Sequence, residues 1–515
     1  MHDDSLAEPR PVHVPAHAGP PGSPMRTDWR PLLALLAWCL AFLAIRLAEH
    51  GTLERDEAEI VYLTQQLRLG YGPQPPLYAW LQWLAFQAFG IDRFALLVLK
   101  TCALGATCIA MFRVARPLIG RRAALAATAS LALFPQVGWE AMRIQTHSVL
   151  MTAIAAATLC CYFALLQRPS LMRYAGFGLL CGLGLQAKYN FGVFLAGVLG
   201  ASLLVGAHRR VLWSWRAWAA VLPALLLVLP HAVWMMQHPG LAFGGTLRKM
   251  QQGAQLGATA ASWLDRVLQG GASALAAAAT FAALPALVWI GVLWRRRALW
   301  RGQLAFEPAP AGRFFACLYG ICAALLLGLV LTGEVGTMKE RWMVPLLFSL
   351  PLGMFVMFPT LAKDAVCADI LRVSAVVALC LLALLPGRTW LGPVFGKEMT
   401  RHHPYAALSD ALQRHCPAAR AIVTESLLST GNLHFARPAL PSLLLEDALR
   451  EPVPLPSPAA FVAHAREATA AEAMFHQAWP AARLENVALV SLPLEDGSGR
   501  RMAFMLACVG TGPPR

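Results

Sequence analysis

The sequence predicts an α-helical polytopic membrane protein that ends in a small α/β domain. Three observations predict it. Apolar residues make up 57% of the 515 residues and charged residues only 14%, against roughly 25% charge in a soluble domain. Long apolar runs recur from Pro31 to Pro386, and a straight helix needs about 20 such residues to cross a bilayer. Beyond Pro386 the runs shorten and Pro, His and charge return. Residues 1–30 are therefore expected as a disordered polar tail, 31–387 as a transmembrane domain and 388–515 as an α/β domain.

Eleven spans are expected, at about 31–48, 94–112, 123–139, 149–167, 174–187, 191–207, 217–236, 273–294, 313–332, 342–361 and 373–387. Short or broken helices among them are tolerated where neighbours cover them. The run 31–48 has no small-residue cleavage site and reads as an anchor rather than a cleaved signal. Arg113 to Arg122, Arg168 and Arg173, Arg209 to Arg216, Arg295 to Arg301, and Lys363 with Arg372 fall in alternate loops, on the side of the N-terminus. The positive-inside rule makes that side cytoplasmic. The same clustering accounts for the net charge of +15 without nucleic acid, for no basic face with interleaved aromatics accompanies it.

In 388–515, Ala421–Thr424, Ala488–Leu492 and Met502–Ala507 read as strands, and Pro404–His415 and Ala459–Ala478 as helices, the second stopped by Pro480. Of the twelve cysteines only Cys416 and Cys508 lie here. A disulfide between them suits an oxidising compartment, although the sequence does not show that they meet. No cysteine or histidine spacing marks a metal site.

The most pointed stretch follows the first span: LERDEAEIVYLTQQLRLGYGPQPPLYAW, Leu53 to Trp80. Arg55, Asp56, Glu57 and Glu59 sit beside a bilayer surface. Surface helices are expected over 57–69, ended by Gly70 and Gly72, and over 75–89, with a proline in the first turn. An isolated acid pair at a helix start is ordinarily a cap favoured by the helix dipole. Here the same side also carries Arg143, His147, Lys188, Lys339, Glu340 and Arg341 near span ends, where charge is costly and marks function or pairing. Lys188, in LQAKYNFG between two short apolar runs, could meet an anion inside the protein. Together with Arg341, Arg143, Lys339 and Arg55 it could neutralise a phosphate leaving group while a carboxylate takes a proton from an attacking hydroxyl. That chemistry is glycosyl transfer from a lipid-linked sugar phosphate. Tyr71, Gln74, Tyr78, His147 and Tyr189 are candidates for the cleft or the acceptor side.

These stretches carry a resemblance. The RDEAEIVYLTQQLRLGYGPQPPLYAWL loop with its Asp-Glu pair and Pro-Pro, LGLQAKYNFG, KERWMVPLLF and HPGLAF resemble membrane glycosyltransferases of the GT-C fold. The group that includes protein O-mannosyltransferases and bacterial lipid A aminoarabinose transferases, glycosyltransferase family 39 and its relatives, is the most similar. FGKEMTRHHPYAALSDAL and ESLLSTGNLHFARP look like the appended domain of bacterial members. The resemblance implies a GT-C architecture, Asp56 as the general base with Glu57 beside it, and Lys188 and Arg341 as phosphate-side cations. It further implies a polyprenyl-phosphate sugar donor and inversion at the anomeric carbon, and it permits a mechanism that requires no cofactor; a divalent metal stays open, with no motif to support it. YGPQPP, with Gln74, departs from the charged or His-bearing approach usual in aminoarabinose transferases, so their metal, donor and acceptor are not carried over.

The acceptor is expected among lipid A, envelope polysaccharide, lipid and protein hydroxyls. The abundance of Arg and Ala fits a high-GC bacterial source, which puts the protein in the inner membrane, with the C-terminal domain in the periplasm, membrane lipids around it and no nucleic-acid partner. A transporter or lipid flippase is the rival reading, although no inverted repeat relates the two halves. A non-catalytic envelope assembly protein is another.

Overall fold

The apolar runs fold as helices because a backbone in hydrocarbon has to satisfy its own hydrogen bonds. The computed structural model describes residues 30–242, 244 and 262–510. The expected tail, apart from Arg30, and most of the expected 237–272 loop lie outside the described residues. Helices cover Arg30–Ala48, Arg93–Ala129, His147–Gln167, Leu171–Ala187, Phe191–Leu204, Trp218–Gln237, Trp263–Arg295, Pro310–Leu331 and Asp364–Leu391.

Among the described residues six helices are long and apolar enough to cross a membrane, or seven if the pair Phe191–Leu204 and Gly206–Leu212, bent by 113°, counts as one. The expected span 94–112 and the start of 123–139 lie on Arg93–Ala129, either side of a kink, and the second span goes on through the short turns Ser130–Leu133 and Pro135–Gly138. The single non-helical residue of Arg93–Ala129, Gly120 with φ 76° and ψ 171°, concentrates the turn expected over 113–122. The expected span 342–361 is broken into Val344–Leu347 and Leu350–Met357, which Pro345 and Pro351 open as first-turn residues.

The first loop is more compact than its pattern suggests. Its helix is Arg55–Leu63, and Thr64 follows it, donating its hydroxyl back to Ile60 O at 2.8 Å. The expected apolar face therefore stops early, and Leu67 is exposed. Gly72 takes φ +69° in a turn where Tyr71 and Gln74 bridge, and the second helix is Leu77–Phe89, with Pro76 just outside it.

From Ala421 onward a five-stranded sheet forms: β1 Ala421–Thr424, β2 Ser442–Leu444, β3 Ala459–His464, β4 Arg483–Pro493 and β5 Arg501–Gly510, in the order β2-β1-β3-β5-β4. β1 pairs in parallel with β2 and β3, and β5 runs antiparallel to β3 and β4. Leu408 and Leu412 of helix Tyr405–His415 and Leu433 of helix Leu427–Ala436 cover one face, packing with Ile422 and Phe504. Phe475 of helix Ala468–Ala478 covers the other, with Phe461 and Val423. The helix expected over Ala459–Ala478 is thus two elements. AAFVAH is a central strand buried on both faces, and such a strand shows no alternation to distinguish it from a helix. Cys416 and Cys508 are joined by a disulfide.

Candidate active site

Adjacent helical residues diverge by about 100°, and the acid pair uses that divergence. Glu57 turns inward. It is 1% exposed; its Oε1 accepts from Arg46 Nη2 at 2.6 Å and from Lys100 Nζ at 2.9 Å, and its Oε2 accepts from the Glu54 backbone N–H at 3.2 Å. Burial pushes its carboxyl up, but the two cations outweigh burial and hold it at about 2. Arg46 donates also to Glu49 at 2.9 Å, so the end of the first span, the loop and the second long helix share one buried network. Glu57 faces these cations rather than the open side on which a catalytic partner of Asp56 was expected.

Asp56 stays partly open to solvent. Its side chain is 22% exposed, and Oδ2 lies 3.8 Å from Nη1 of Arg341, itself 30% exposed. Arg341 occupies a single turn, Glu340–Trp342. The Trp342 carbonyl accepts from Asn190 Nδ2 at 3.3 Å, which ties that turn to the break between Leu171–Ala187 and Phe191–Leu204. In the break, Lys188 Nζ donates to Ser148 Oγ at 2.5 Å. The ring of the adjacent His147 lies 5.3 Å from that of Tyr78. Tyr78 is fully buried; burial, then the charges of Glu57 and Asp56, raise its hydroxyl pKa. Asp56 thus meets Arg341, the residue after Arg341 meets Asn190, and two residues before Asn190 Lys188 meets Ser148, the neighbour of His147; the charges of the acid pair also act on the Tyr78 hydroxyl.

The remaining candidates lie around these contacts. Tyr189 shares a hydrogen bond of 3.0 Å with His231 Nε2, and His231 Nδ1 lies 2.6 Å from the Leu69 carbonyl. With Nδ1–H donating to that carbonyl, Nε2 is the acceptor and Tyr189 the donor. Arg143 is committed to acids: Nη2 contacts both Glu140 oxygens at 2.8 and 2.9 Å, and Nη1 lies 3.9 Å from Glu54. Burial raises the Glu54 pKa, against the pull of Arg143. Lys339 flanks the Arg341 turn, and Arg55 is exposed. Tyr71 donates to the Gln66 carbonyl at 2.7 Å and with Gln74 shapes the turn. Among the described residues, the one compact His, Cys and acid group is His415 with Cys416 and Cys508, and its two cysteines are the disulfide.

Sequence reasoning did not pick out Arg46, Lys100, Ser148, Asn190 or His231. Arg46 and Lys100 were within its reach, as lone charges inside apolar runs. Ser148, Asn190 and His231 are ordinary residues whose partners lie 40 or more positions away.

Residues 73–234 match the family described as dolichyl-phosphate-mannose-protein mannosyltransferase. The lipopolysaccharide core galacturonosyltransferase RgtB of Rhizobium johnstonii is 32% identical over 422 residues, covering 79% of this chain and 83% of RgtB. RgtA of the same organism, with the same description, is 31% identical over 419 residues, 80% of this chain and 81% of RgtA. The crystal structure of ArnT from Cupriavidus metallidurans bound to undecaprenyl phosphate superposes with a TM-score of 0.61 at 14% identity, over 93% of this chain and 98% of that one, a likeness of fold. The chain belongs to the family of GT-C membrane glycosyltransferases that contains these two galacturonosyltransferases.

Proposed function

We propose that the protein is an inverting transferase that moves a galacturonosyl group from a polyprenyl phosphate to a sugar hydroxyl of the lipopolysaccharide core, on the periplasmic side of a bacterial inner membrane. The observation that carries this reading is the Asp56–Arg341 pair, a half-open carboxylate and a cation 3.8 Å apart, with the helix break that holds Lys188 tied to the Arg341 turn by Asn190. The sugar and acceptor follow the relatives RgtB and RgtA. Because these relatives are transferases over four-fifths of the chain, the transporter and assembly readings have no support left.

In this reading the acceptor hydroxyl attacks the anomeric carbon while Asp56 takes its proton. The C–O bond to phosphate breaks, and the electron pair leaves with the polyprenyl phosphate. Arg341 and Lys188 stabilise the charge that develops there. Attack opposite the leaving group inverts the anomeric centre. The polyprenyl tail stays in apolar contact with the spans, at about 0.8 kcal/mol per buried methylene. Glu57 acts through Arg46 and Lys100 to set the helix, without touching substrate. Lys339 and Arg55 add positive charge at the rim, and Tyr71, Gln74, Tyr78, His147 and Tyr189 shape the cleft.

Since Arg341 and Lys188 supply the phosphate-side charge, no metal is required. The purified protein, given polyprenyl-phosphate galacturonic acid and lipopolysaccharide core in excess EDTA, should form product with inverted anomeric configuration by proton NMR. A product of retained configuration, or a reaction abolished by EDTA and restored by a divalent metal, would overturn the mechanism.

A further inference from the structure

The sheet domain grips the Asp56 helix at both ends. Before the helix, Leu53 N–H donates to Asn432 Oδ1 at 2.8 Å, and Asn432 Nδ2 returns to the Leu53 carbonyl at 3.3 Å. One carboxamide thus reads both backbone groups of a residue three positions before Asp56. After the helix, Gln65 Nε2 donates to the Ser442 carbonyl at 3.0 Å, and Ser442 N–H donates to Gln65 Oε1 at 2.8 Å. There the carboxamide comes from the loop and the backbone from β2. Between these two pairs the helices touch directly. A Cβ on Gly431 would fall 2.0 Å from the Ala58 carbonyl oxygen, so only glycine permits this approach.

Each partner also has hydrogen bonds of its own. β2 has its own ladder to β1, and helix Leu427–Ala436 has its own cap at Ser426. What the two pairs add is a fixed distance and angle between the sheet domain and the Asp56 helix. Paired, fully used carboxamides hold backbone more rigidly than single contacts. A general base has to stand within hydrogen-bond reach of one proton, and a displacement of 1 Å costs on the order of 100-fold in rate.

We propose that the C-terminal domain is a clamp for the Asp56 helix, and that Asn432 and Gln65 are positioning residues acting through that helix. The proposal rests on Asp56 as the base. It gives the appended domain a part in turnover itself, beyond any part in acceptor binding.

The test uses the full-length protein. Asn432→Ala and Gln65→Ala are compared with Gln65→Glu, which keeps the acceptor for Ser442 N–H and loses the donor. Asn432→Ala and Gln65→Ala should each lower kcat by about 10–100-fold, with Gln65→Glu in between. Binding of undecaprenyl phosphate should change less than about threefold, and amide exchange over 52–64 should quicken while the global Tm holds. Wild-type kcat and wild-type exchange in Asn432→Ala and Gln65→Ala would overturn the clamp, as would a kcat that falls only in step with Tm. Should the wild type transfer nothing from the proposed donor, the functional reading fails and exchange alone decides the clamp. Faster exchange over 52–64 at unchanged Tm then upholds it, and unchanged exchange overturns it.

Discussion

At position 57 a carboxylate is shut away from water between Arg46 and Lys100, while one residue earlier Asp56 is partly exposed beside Arg341. The same residue class therefore has two consequences. Removing Glu57 strands two buried cations, and breaking a buried ion pair from one side costs about 3–5 kcal/mol. Glu57→Gln should unfold in detergent at markedly lower temperature, with activity falling in proportion to folded protein. Asp56→Asn should leave the unfolding temperature unchanged. The pH dependence follows the sign of the Glu57 shift. Its folded-state pKa is depressed to about 2 from 4.5, so its contribution is complete above about 4.5, declines below that, and is gone once the pH falls through about 2. Unfolding free energies measured from pH 7 to pH 3 should lose more stability in the wild type than in Glu57→Gln. The acid pair, Lys188 and Arg341 stood out in the sequence because charge near a span end is rare. Which of the two acids faces outward was hidden, since it depends on Arg46 and Lys100, 11 and 43 positions from Glu57.

Among the elements, the long helices were legible and their breaks were not. Apolar length marks a helix, but it says little about where packing interrupts one. The run 342–361 reads as one span and folds as two short helices, and the single turn at its start, Glu340–Trp342, carries Arg341 to 3.8 Å from Asp56. The loop helix stops at Leu63, short of the glycines, and Gln65 just beyond it joins the sheet domain at Ser442. Gly70 serves a different purpose from the helix stop read at it. A Cβ there would lie 2.1 Å from the Trp234 ring, and Trp234 stacks between His231 and His238 at 5.7 and 5.1 Å. Gly70→Ala must push that column of rings, and overpacking of this kind costs about 1–3 kcal/mol. His231 contacts both Leu69 and Tyr189, so the push reaches the Lys188 break. Transfer assays should show Gly70→Ala losing more activity than an alanine at exposed Gln66.

Over the whole molecule, a helical membrane body and a sheet domain meet on one short loop. Strand β1 was legible at the residues where it folds, and β4 and β5 were legible but read shorter than they fold, while the last long helix runs on to Leu391, past the boundary expected at 387. The pairing of Cys416 with Cys508 was left open, because only the fold brings residues 92 positions apart together. Closing a loop of that size stabilises a domain by about 2–4 kcal/mol, so Cys508→Ser should lower the unfolding temperature, and reductant should lower that of the wild type alike. The clamp is the feature that no sequence pattern announces: it consists of carboxamides and glycine, and their roles exist only across the interface. The reading of the molecule as a transferase with Asp56 as base meets its sharpest trial in cells. Mass spectrometry of the lipopolysaccharide core and the lipid-linked sugars compares a deletion strain carrying the wild type with one carrying Asp56→Asn at equal membrane level. A positioned base contributes about 10²–10⁴-fold, so the mutant core should lack a uronic acid that the wild type adds, while its polyprenyl-phosphate form accumulates. A core fully restored by Asp56→Asn would contradict the role given to that carboxylate.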